Sequence, residues 1–150
     1  MSIISVPFKA RFITATGTDR AVTTIDFTKE DRTQGEITGE LAKLAEELRH
    51  YAAGEPVQFS AILEPQGTTF QRSVWSAMRL IPYGETWTYG QLAAAIGNPK
   101  AVRAVGQACH VNPCAPVVPC HRVVASNGLG GYYGGLDMKR ELLDFEKKGR

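Results

Sequence analysis

The segment Pro119-Cys120-His121-Arg122 places a thiol beside an imidazole within an apolar stretch of the chain. A cysteine is a strong nucleophile only as its thiolate, and a neighbouring positive charge lowers the pKa of the thiol. We therefore expect Cys120 to be a nucleophile whose pKa is lowered by His121 or Arg122. Successive side chains of an extended segment point to opposite faces, so a Cys120–His121 contact requires a turn or a bridging water. The alternative is a buried structural cysteine.

The three cysteines of the chain, Cys109, Cys114 and Cys120, lie in one short stretch. Their odd number and the lack of a recognisable secretory signal predict free thiols in a reducing compartment. No pair has the Cys-x-x-Cys spacing of a common zinc module, so we expect no metal. We also expect no cofactor. No apolar run reaches the length of a transmembrane helix, which predicts a soluble, cytoplasmic protein without membrane contact.

Charge is distributed unevenly along the 150 residues, although the net charge is only +2. No Asp or Glu occurs between Thr86 and Leu136, whereas Lys100, Arg103 and Arg122 do. A locally basic region around the cysteine motif favours a polyanionic partner. The alternative is that this stretch is poor in acids because most of it is buried.

The N-terminal part alternates polar and apolar residues over 3–27, which predicts two or three antiparallel strands. From Thr38 the apolar period changes to that of a helix, which Gly54 ends. A connecting loop then leads to a predicted boundary between residues 66 and 67. We expect an N-terminal subdomain of residues 1–66 and a C-terminal domain of residues 67–150.

Two short helices are predicted in the middle of the C-terminal part. Thr88 and Gln91 have the spacing of a capping box, and the helix that they begin should stop at Gly97. Asn98 is then the expected N-cap of the next helix, with Pro99 at its first position. Such a pair is typical of a helix-turn-helix, although helical pairs without DNA-binding function are common.

The second of these helices has two different faces. Val102, Val105 and Cys109 fall on one side and are expected to be buried. The other positions carry short side chains beside single basic ones, which would let the helix lie close to a DNA groove while an arginine projects into it. Packing of the small residues against a neighbouring helix is the alternative. The surface residues concerned are Lys100, Ala101, Arg103, Ala104, Gln107 and Ala108.

After Asn112-Pro113 we expect an apolar strand that carries Cys120, followed by a loop with four glycines in residues 130–135. Glycines at this density indicate a tight loop that a ligand or another backbone segment approaches closely. Tyr132 and Tyr133 lie between them and would suit the stacking of a planar base. A last helix is predicted from Leu136 to Glu146.

Four motifs of the C-terminal part occur in one order along the chain. They are Phe70-Gln71-Arg72-Ser73-Val74-Trp75, Ile81-Pro82-Tyr83-Gly84-Glu85-Thr86 with Tyr89, Lys100-Ala101-Val102-Arg103-Ala104-Val105-Gly106, and Asn112-Pro113 leading to Cys120-His121-Arg122. Together they resemble the O6-alkylguanine-DNA alkyltransferases, or methylated-DNA–protein-cysteine methyltransferases, over residues 68–147. The resemblance implies an α/β (α+β) protein with a small RNase H-like sheet-plus-helix subdomain and a mainly helical, winged helix-turn-helix C-terminal domain.

The resemblance also implies catalytic roles. Cys120 would accept the alkyl group and keep it, and His121 would act as its base through a water. Glu146 would orient the imidazole, and Asn112 would hold the turn around the site. Tyr89 would crowd the target phosphate and supply a proton to the departing guanine.

Further roles concern DNA and the pocket. Arg103 resembles the finger that replaces an extruded nucleotide. The resemblance places additional DNA contacts at Lys100, Ala101, Tyr89, Ala104 and Arg122, and pocket walls at Tyr132, Gly131, Val123, Cys109 and Tyr133. Tyr133 departs from the family pattern, because many relatives carry a small residue such as serine there.

The resemblance thus implies a monomeric DNA-repair protein that acts on O6-methylguanine, and more slowly on O4-methylthymine, in duplex DNA. Three other functions are weighed against it. A damage sensor of the alkyltransferase-like type lacks the cysteine, which this chain has. A helix-turn-helix regulator could use Cys120 to sense alkylation or oxidation. A cysteine hydrolase is disfavoured, because the adjacent Cys and His match no hydrolase signature.

Overall fold

Alternating apolar residues form a three-stranded antiparallel sheet at the start of the chain. The computed structural model describes residues 1–149, and the sheet consists of β1 (Ser2–Phe8), β2 (Arg11–Gly17) and β3 (Val22–Thr28) in that order. One helix, α1 (Gly39–Ala52), packs on this sheet. Its buried face is Leu41, Leu44, Ala45, Leu48 and Tyr51, so the strands and the helical period predicted from the sequence are confirmed.

Four further helices follow. They are α2 (Thr69–Met78), α3 (Tyr89–Ala95), α4 (Val102–His110) and α5 (Leu136–Gly149), with two short strands, β4 (Trp87–Thr88) and β5 (Val123–Val124), paired in parallel. Thr68 and Gln71 form a capping box at the start of α2, and Thr88 and Gln91 form the predicted one at the start of α3. The Trp75 indole N–H donates to the Ala108 carbonyl at 2.9 Å and so ties α2 to α4.

The predicted start of α4 is wrong. Asn98 is not an N-cap, because its backbone N–H donates to the Ala93 carbonyl and that of Gly97 donates to the Ala94 carbonyl. These two bonds, with Gly97 at φ +78°, form the Schellman closure of α3. The Ala101 N–H then bonds the Asn98 carbonyl in a turn, and α4 begins at Val102.

Burial on α4 differs from the prediction at two positions. Val105 and Cys109 are buried as expected, but Val102 is 41% exposed because it lies in the first turn of the shortened helix. Ala108, which the sequence placed in the smooth surface row, is also buried. The exposed residues of α4 are therefore Val102, Arg103, Ala104, Gln107 and His110.

The segment around Cys120 is not a strand, as predicted, but a 3₁₀ turn. Residues Cys120–Arg122 form this turn, with the Arg122 N–H bonded to the Pro119 carbonyl, and β5 begins directly after it. Since a turn changes the direction of successive side chains, Cys120 and His121 are not held on opposite faces as they would be in a strand.

The chain divides into two compact units. One contains Met1–Gln66 and Pro113–Val117, and the other contains Gly67–Asn112 and the chain from Val118 onward. The division into domains at residues 66 and 67 remains a proposal, from which these units differ by the short segment Pro113–Val117. Within residues 1–149, no helix combines the length and apolar character that crossing a membrane requires.

Candidate active site

Three side chains from the turn and from α5 form a buried hydrogen-bonded cluster. The Glu146 carboxylate lies 2.6 Å from His121 Nε2 and accepts from Arg122 Nε at 2.7 Å and from Arg122 Nη2 at 3.1 Å. Arg122 Nη1 donates to the Ile81 carbonyl at 2.8 Å. The Arg122 guanidinium is thus bound within its own unit, and Arg122 is withdrawn from the predicted DNA contacts because it is buried.

Glu146 is held in its ionised form by these partners. Burial alone raises the pKa of the carboxyl, but the charges and hydrogen bonds of His121 and Arg122 outweigh it and hold the pKa well below its usual range. His121 is fully buried, and its second ring nitrogen, Nδ1, has no hydrogen-bond partner among residues 1–149. One ring nitrogen is therefore fixed by Glu146 while the other is available for proton transfer.

Cys120 does not have the lowered pKa that the sequence predicted. The thiol is 4% exposed, and burial raises its pKa to about 11. Hydrogen bonds from Asn112 and Tyr132 and the charge of Lys139 act in the opposite direction without overcoming burial. The prediction failed because both neighbouring cations in the sequence, His121 and Arg122, are bound to Glu146. The resting thiol is protonated at neutral pH.

A small cavity of about 60 Å³ opens onto the Cys120 thiol. Its walls come from α3, α4, the 3₁₀ turn and the glycine-rich loop, and they are Tyr89, Cys109, His110, Cys120, Gly131, Tyr132 and Tyr133. Four of the five residues predicted for the pocket walls therefore lie at this cavity. Val123 does not line it, because it is fully buried in β5, and His110 is a wall residue that the sequence did not indicate.

Three of the residues that line this cavity are tyrosines. The rings of Tyr132 and Tyr133 lie 4.9 Å apart at 49°, and Tyr133 is 37% exposed. Tyr89 packs against Gly130, where a Cβ atom would come within 2.9 Å of the Tyr89 ring. Gly130 also has φ +73°, so both the backbone and the close ring require glycine. Burial raises the pKa of the Tyr89 hydroxyl.

Asn112 holds the backbone before the turn. Its side-chain amide donates to the Val118 carbonyl at 2.7 Å, and a further hydrogen bond to Cys120 acts to lower the pKa of the thiol. Asn112 therefore both fixes the backbone before the turn and contacts the Cys120 thiol.

Lys139 is a site residue that the sequence analysis missed. It is fully buried in α5, and its ammonium group donates to the carbonyls of Val123, Leu129 and Gly131. The signal was present in the helical spacing, because Lys139 precedes the buried Leu142 by three positions and Glu146 by seven. A lysine on the buried face of an amphipathic helix requires partners.

The exposed surface at the start of α4 carries the other two basic residues that were predicted to contact DNA, Lys100 and Arg103. Lys100, Arg103 and Ala104 are exposed, and Ala101 is half-buried at the start of α4. Arg103 lies in the first turn of α4 and has short alanine side chains beside it. This face is positively charged and sterically open.

Comparison with known proteins identifies similar chains. A family model described as the DNA-binding domain of 6-O-methylguanine DNA methyltransferase matches residues 69–148. The methylated-DNA–protein-cysteine methyltransferase of Methanosarcina acetivorans is 57% identical over 101 residues, which are 67% of this chain and 65% of that protein. The Mycobacterium tuberculosis protein of the same name is 49% identical over 110 residues, which are 73% of this chain and 67% of that protein. The matched part spans about two thirds of these relatives.

Solved structures resemble the chain over nearly its whole length. The O6-methylguanine methyltransferase of Mycobacterium tuberculosis has a TM-score of 0.84 at 36% identity, and the match covers 99% of this chain and 94% of that one. A Mycobacterium tuberculosis OGT in complex with DNA has a TM-score of 0.83 at 38% identity, covering 98% of this chain and 93% of that one. The predicted mixed α/β fold class is confirmed.

Proposed function

The chain belongs to the 6-O-methylguanine DNA methyltransferase family, and we propose that it is a methylated-DNA–protein-cysteine methyltransferase that repairs O6-methylguanine directly. The observation that carries this proposal is the position of the Cys120 thiol, which lines a small aromatic cavity and directly precedes an imidazole bound to a buried carboxylate. A protonated thiol needs a base before it can attack. The His121 imidazole, hydrogen-bonded to the Glu146 carboxylate, can act as that base.

The transfer moves one proton from the thiol to guanine, with no net gain or loss of protons. The Cys120 thiol gives its proton through a water to His121 Nδ1, and Sγ bonds to the alkyl carbon while the bond from that carbon to O6 breaks. The electron pair of the broken bond stays on guanine, Tyr89 donates a proton to the base, and the proton on His121 restores the tyrosine. The products are a thioether and neutral guanine. Because a thioether has no easy leaving path, each molecule acts once, without a cofactor.

In this proposal, DNA binds to the exposed face of α4 and to the residues just before it. The O6 atom of a stacked guanine is out of reach, so the nucleotide must be flipped into the cavity, which costs a few kcal/mol. Arg103, exposed among short side chains, would fill the space left in the duplex, with Lys100, Ala101 and Ala104 near the backbone. Tyr132 would stack on the flipped base. The family resemblance supports two further parts of the proposal, that α3 and α4 belong to a winged helix-turn-helix and that the N-terminal subdomain is RNase H-like.

Transfer of labelled methyl groups tests the proposal. Duplex DNA with O6-[³H-methyl]guanine should lose its label to the protein at one equivalent, and mass spectrometry should find a 14 Da increase on Cys120. The Cys120→Ser variant should bind the same DNA and accept no label. O4-methylthymine should react more slowly in the same assay.

The outcome also separates the other functions. A damage sensor would bind the modified duplex without gaining label. A regulator that senses free alkylating agents would gain no label from the modified duplex although its Cys120 would react with methyl iodide, and a hydrolase would turn over more than one equivalent. Label on Cys109 in the Cys120→Ser variant would show that the nucleophile is assigned wrongly.

A further inference from the structure

Lys139 is a buried charged group that the proposed transfer does not use. Its side chain is fully excluded from solvent, at 0% exposure. The Nζ atom donates to the Val123 carbonyl at 2.7 Å and to the Gly131 carbonyl at 2.9 Å, and its third acceptor is the Leu129 carbonyl. Gly131 is part of the cavity wall that also contains Cys120. The ammonium group therefore lies directly behind the wall of the site.

The hydrogen bonds themselves indicate that Lys139 is charged. An ammonium group has three N–H donors, and each of the three carbonyls uses one of them. A neutral amine would have only two donors and would leave one of these carbonyls without its bond. Among residues 1–149, no carboxylate forms an ion pair with Lys139. A buried cation without an anion is costly, so an anion formed nearby would be stabilised by it.

The anion that the reaction creates is the Cys120 thiolate. The Arg122 guanidinium and the Glu146 carboxylate compensate each other, so their cluster with His121 has no net positive charge until His121 takes up the thiol proton. The remaining titratable groups around the cavity are Cys109, His110, Tyr89, Tyr132 and Tyr133, and none of them is a permanent cation. Lys139 also lies 6.0 Å from the centre of the Tyr89 ring, which places its charge on the cavity side of α5.

We propose that Lys139 is the counter-ion of the Cys120 thiolate and a positioning residue of the transfer site, which it also shapes by binding the glycine-rich loop to β5. The role rests on the proposed function only in that Cys120 is the nucleophile. The pKa shifts of both Cys120 and Lys139 agree with this role. The charge of Lys139 lowers the pKa of Cys120 against the effect of burial. Burial lowers the pKa of Lys139, and the charges of Cys120 and Cys109 raise it.

Alkylation by methyl iodide tests this without DNA. In that reaction the Cys120 thiolate displaces iodide and forms the same S–CH₃ bond, and the thiol proton goes to the buffer. We expect Lys139→Gln to react about tenfold more slowly at pH 8 and its pH–rate profile to move up by about one unit. Lys139→Arg should retain most of the rate because it retains the charge. Lys148→Gln, exposed on the same helix, is the matched control and should behave as wild type.

A merely structural role gives a different result. If Lys139 only holds the loop, Lys139→Gln and Lys139→Arg should both lose thermal stability while the midpoint of the pH–rate profile stays in place. An unmoved midpoint in folded Lys139→Gln would overturn the proposal. In the wild type, by contrast, a normal methyl iodide reaction without methyl transfer from DNA would contradict the proposed function and leave the test of Lys139 intact.

A second pair of variants keeps Lys139 in place and needs no reaction. Cys120→Asp puts a fixed negative charge at the site, and Cys120→Asn is its neutral control. With a counter-ion present, the unfolding free energy of Cys120→Asp relative to Cys120→Asn should hold or rise from pH 4 to pH 8. Without one, the buried carboxylate would have a raised pKa, and the difference would fall as the pH rises. A fall would overturn the proposal.

Discussion

At the scale of single residues, the neighbours of Cys120 in sequence are not its electrostatic partners. His121 and Arg122 follow the cysteine directly, yet both side chains bind Glu146. The groups that lower the pKa of the thiol are Asn112, Lys139 and Tyr132, which come from other parts of the chain. Because burial dominates, the thiol stays protonated until a base removes its proton. In the proposed mechanism, reactivity therefore depends on the base and on the counter-ion rather than on a permanently ionised cysteine.

Tyr133 is the residue for which the structure sharpens the expected specificity. Its ring lines the cavity beside Tyr132, so a serine at this position would leave more room. We expect Tyr133→Ser to increase the rate with O6-benzylguanine relative to O6-methylguanine, in the same duplex, by roughly tenfold. One methylene in a packed pocket corresponds to about 1–3 kcal/mol, and a phenol ring is larger. Equal rate ratios in wild type and variant would place Tyr133 outside the path of the alkyl group.

The sequence predicted the residues of the site better than their environment. Cys120, Tyr89, Cys109, Gly131, Tyr132 and Tyr133 all line one cavity. The pKa of Cys120 could not be predicted, because it depends on burial and on the partners of the His121 and Arg122 side chains, which bind Glu146. Lys139 was missed because an isolated lysine in a helix is usually exposed, and only its three carbonyl partners show otherwise.

At the scale of the elements, two helices begin with the same capping box but differ in what they position. Thr88 caps α3, whose first residue is Tyr89, whereas Thr68 caps α2, whose buried face packs elsewhere in the unit. We expect Thr88→Ala and Thr68→Ala each to lower the unfolding free energy by about 1 kcal/mol. Only Thr88→Ala should also slow methyl transfer, because it loosens the backbone of Tyr89. Denaturation and single-turnover rates of both variants check this, and equal effects on transfer would contradict it.

The second prediction for an element concerns α4 and its exposed arginine. Arg103→Ala should slow the repair of duplex DNA by about tenfold, because filling the space of a flipped nucleotide offsets part of a cost of a few kcal/mol. Its reaction with free O6-benzylguanine should remain unchanged, since no nucleotide is flipped there. Lys147→Ala removes an exposed charge from α5 and is the matched control. Equal losses with both substrates would mean that Arg103 supports the fold instead.

The elements themselves were predicted unequally. Strong periodicity predicted α1, and the capping spacing predicted the start of α3. The start of α4 was missed, because Asn98 is favoured both as an N-cap and after a closing glycine, and the backbone uses it for the closure of α3. The 3₁₀ turn at Cys120 was missed because β-branched flanking residues favour a strand, and tertiary contacts override that preference locally.

At the scale of the whole molecule, the distribution of charge along the chain leaves the two cavity thiols, Cys109 and Cys120, buried in a stretch without acidic residues. All Asp and Glu residues lie outside Thr86–Leu136, and Glu146, which does reach the site, is matched by His121 and Arg122. Two buried thiols, Cys109 and Cys120, have raised pKa values of about 12 and about 11. The folded state therefore holds protons that the unfolded chain releases at lower pH.

This difference predicts how stability depends on alkaline pH. An unfolded cysteine ionises near its ordinary pKa of 9.0, whereas folded Cys120 ionises at about 11. A raised folded pKa contributes stability that is present below the unfolded value and is lost as the pH rises toward the folded one. We expect the unfolding free energy to fall between pH 9 and pH 11, by on the order of 2–3 kcal/mol from Cys120 alone. Urea denaturation of Cys120→Ser should show a smaller loss of unfolding free energy between pH 9 and pH 11. Cys109→Ser should likewise show a smaller loss, over a range that reaches pH 12. Parallel curves for wild type and both variants would show that neither thiol is protonated preferentially by folding.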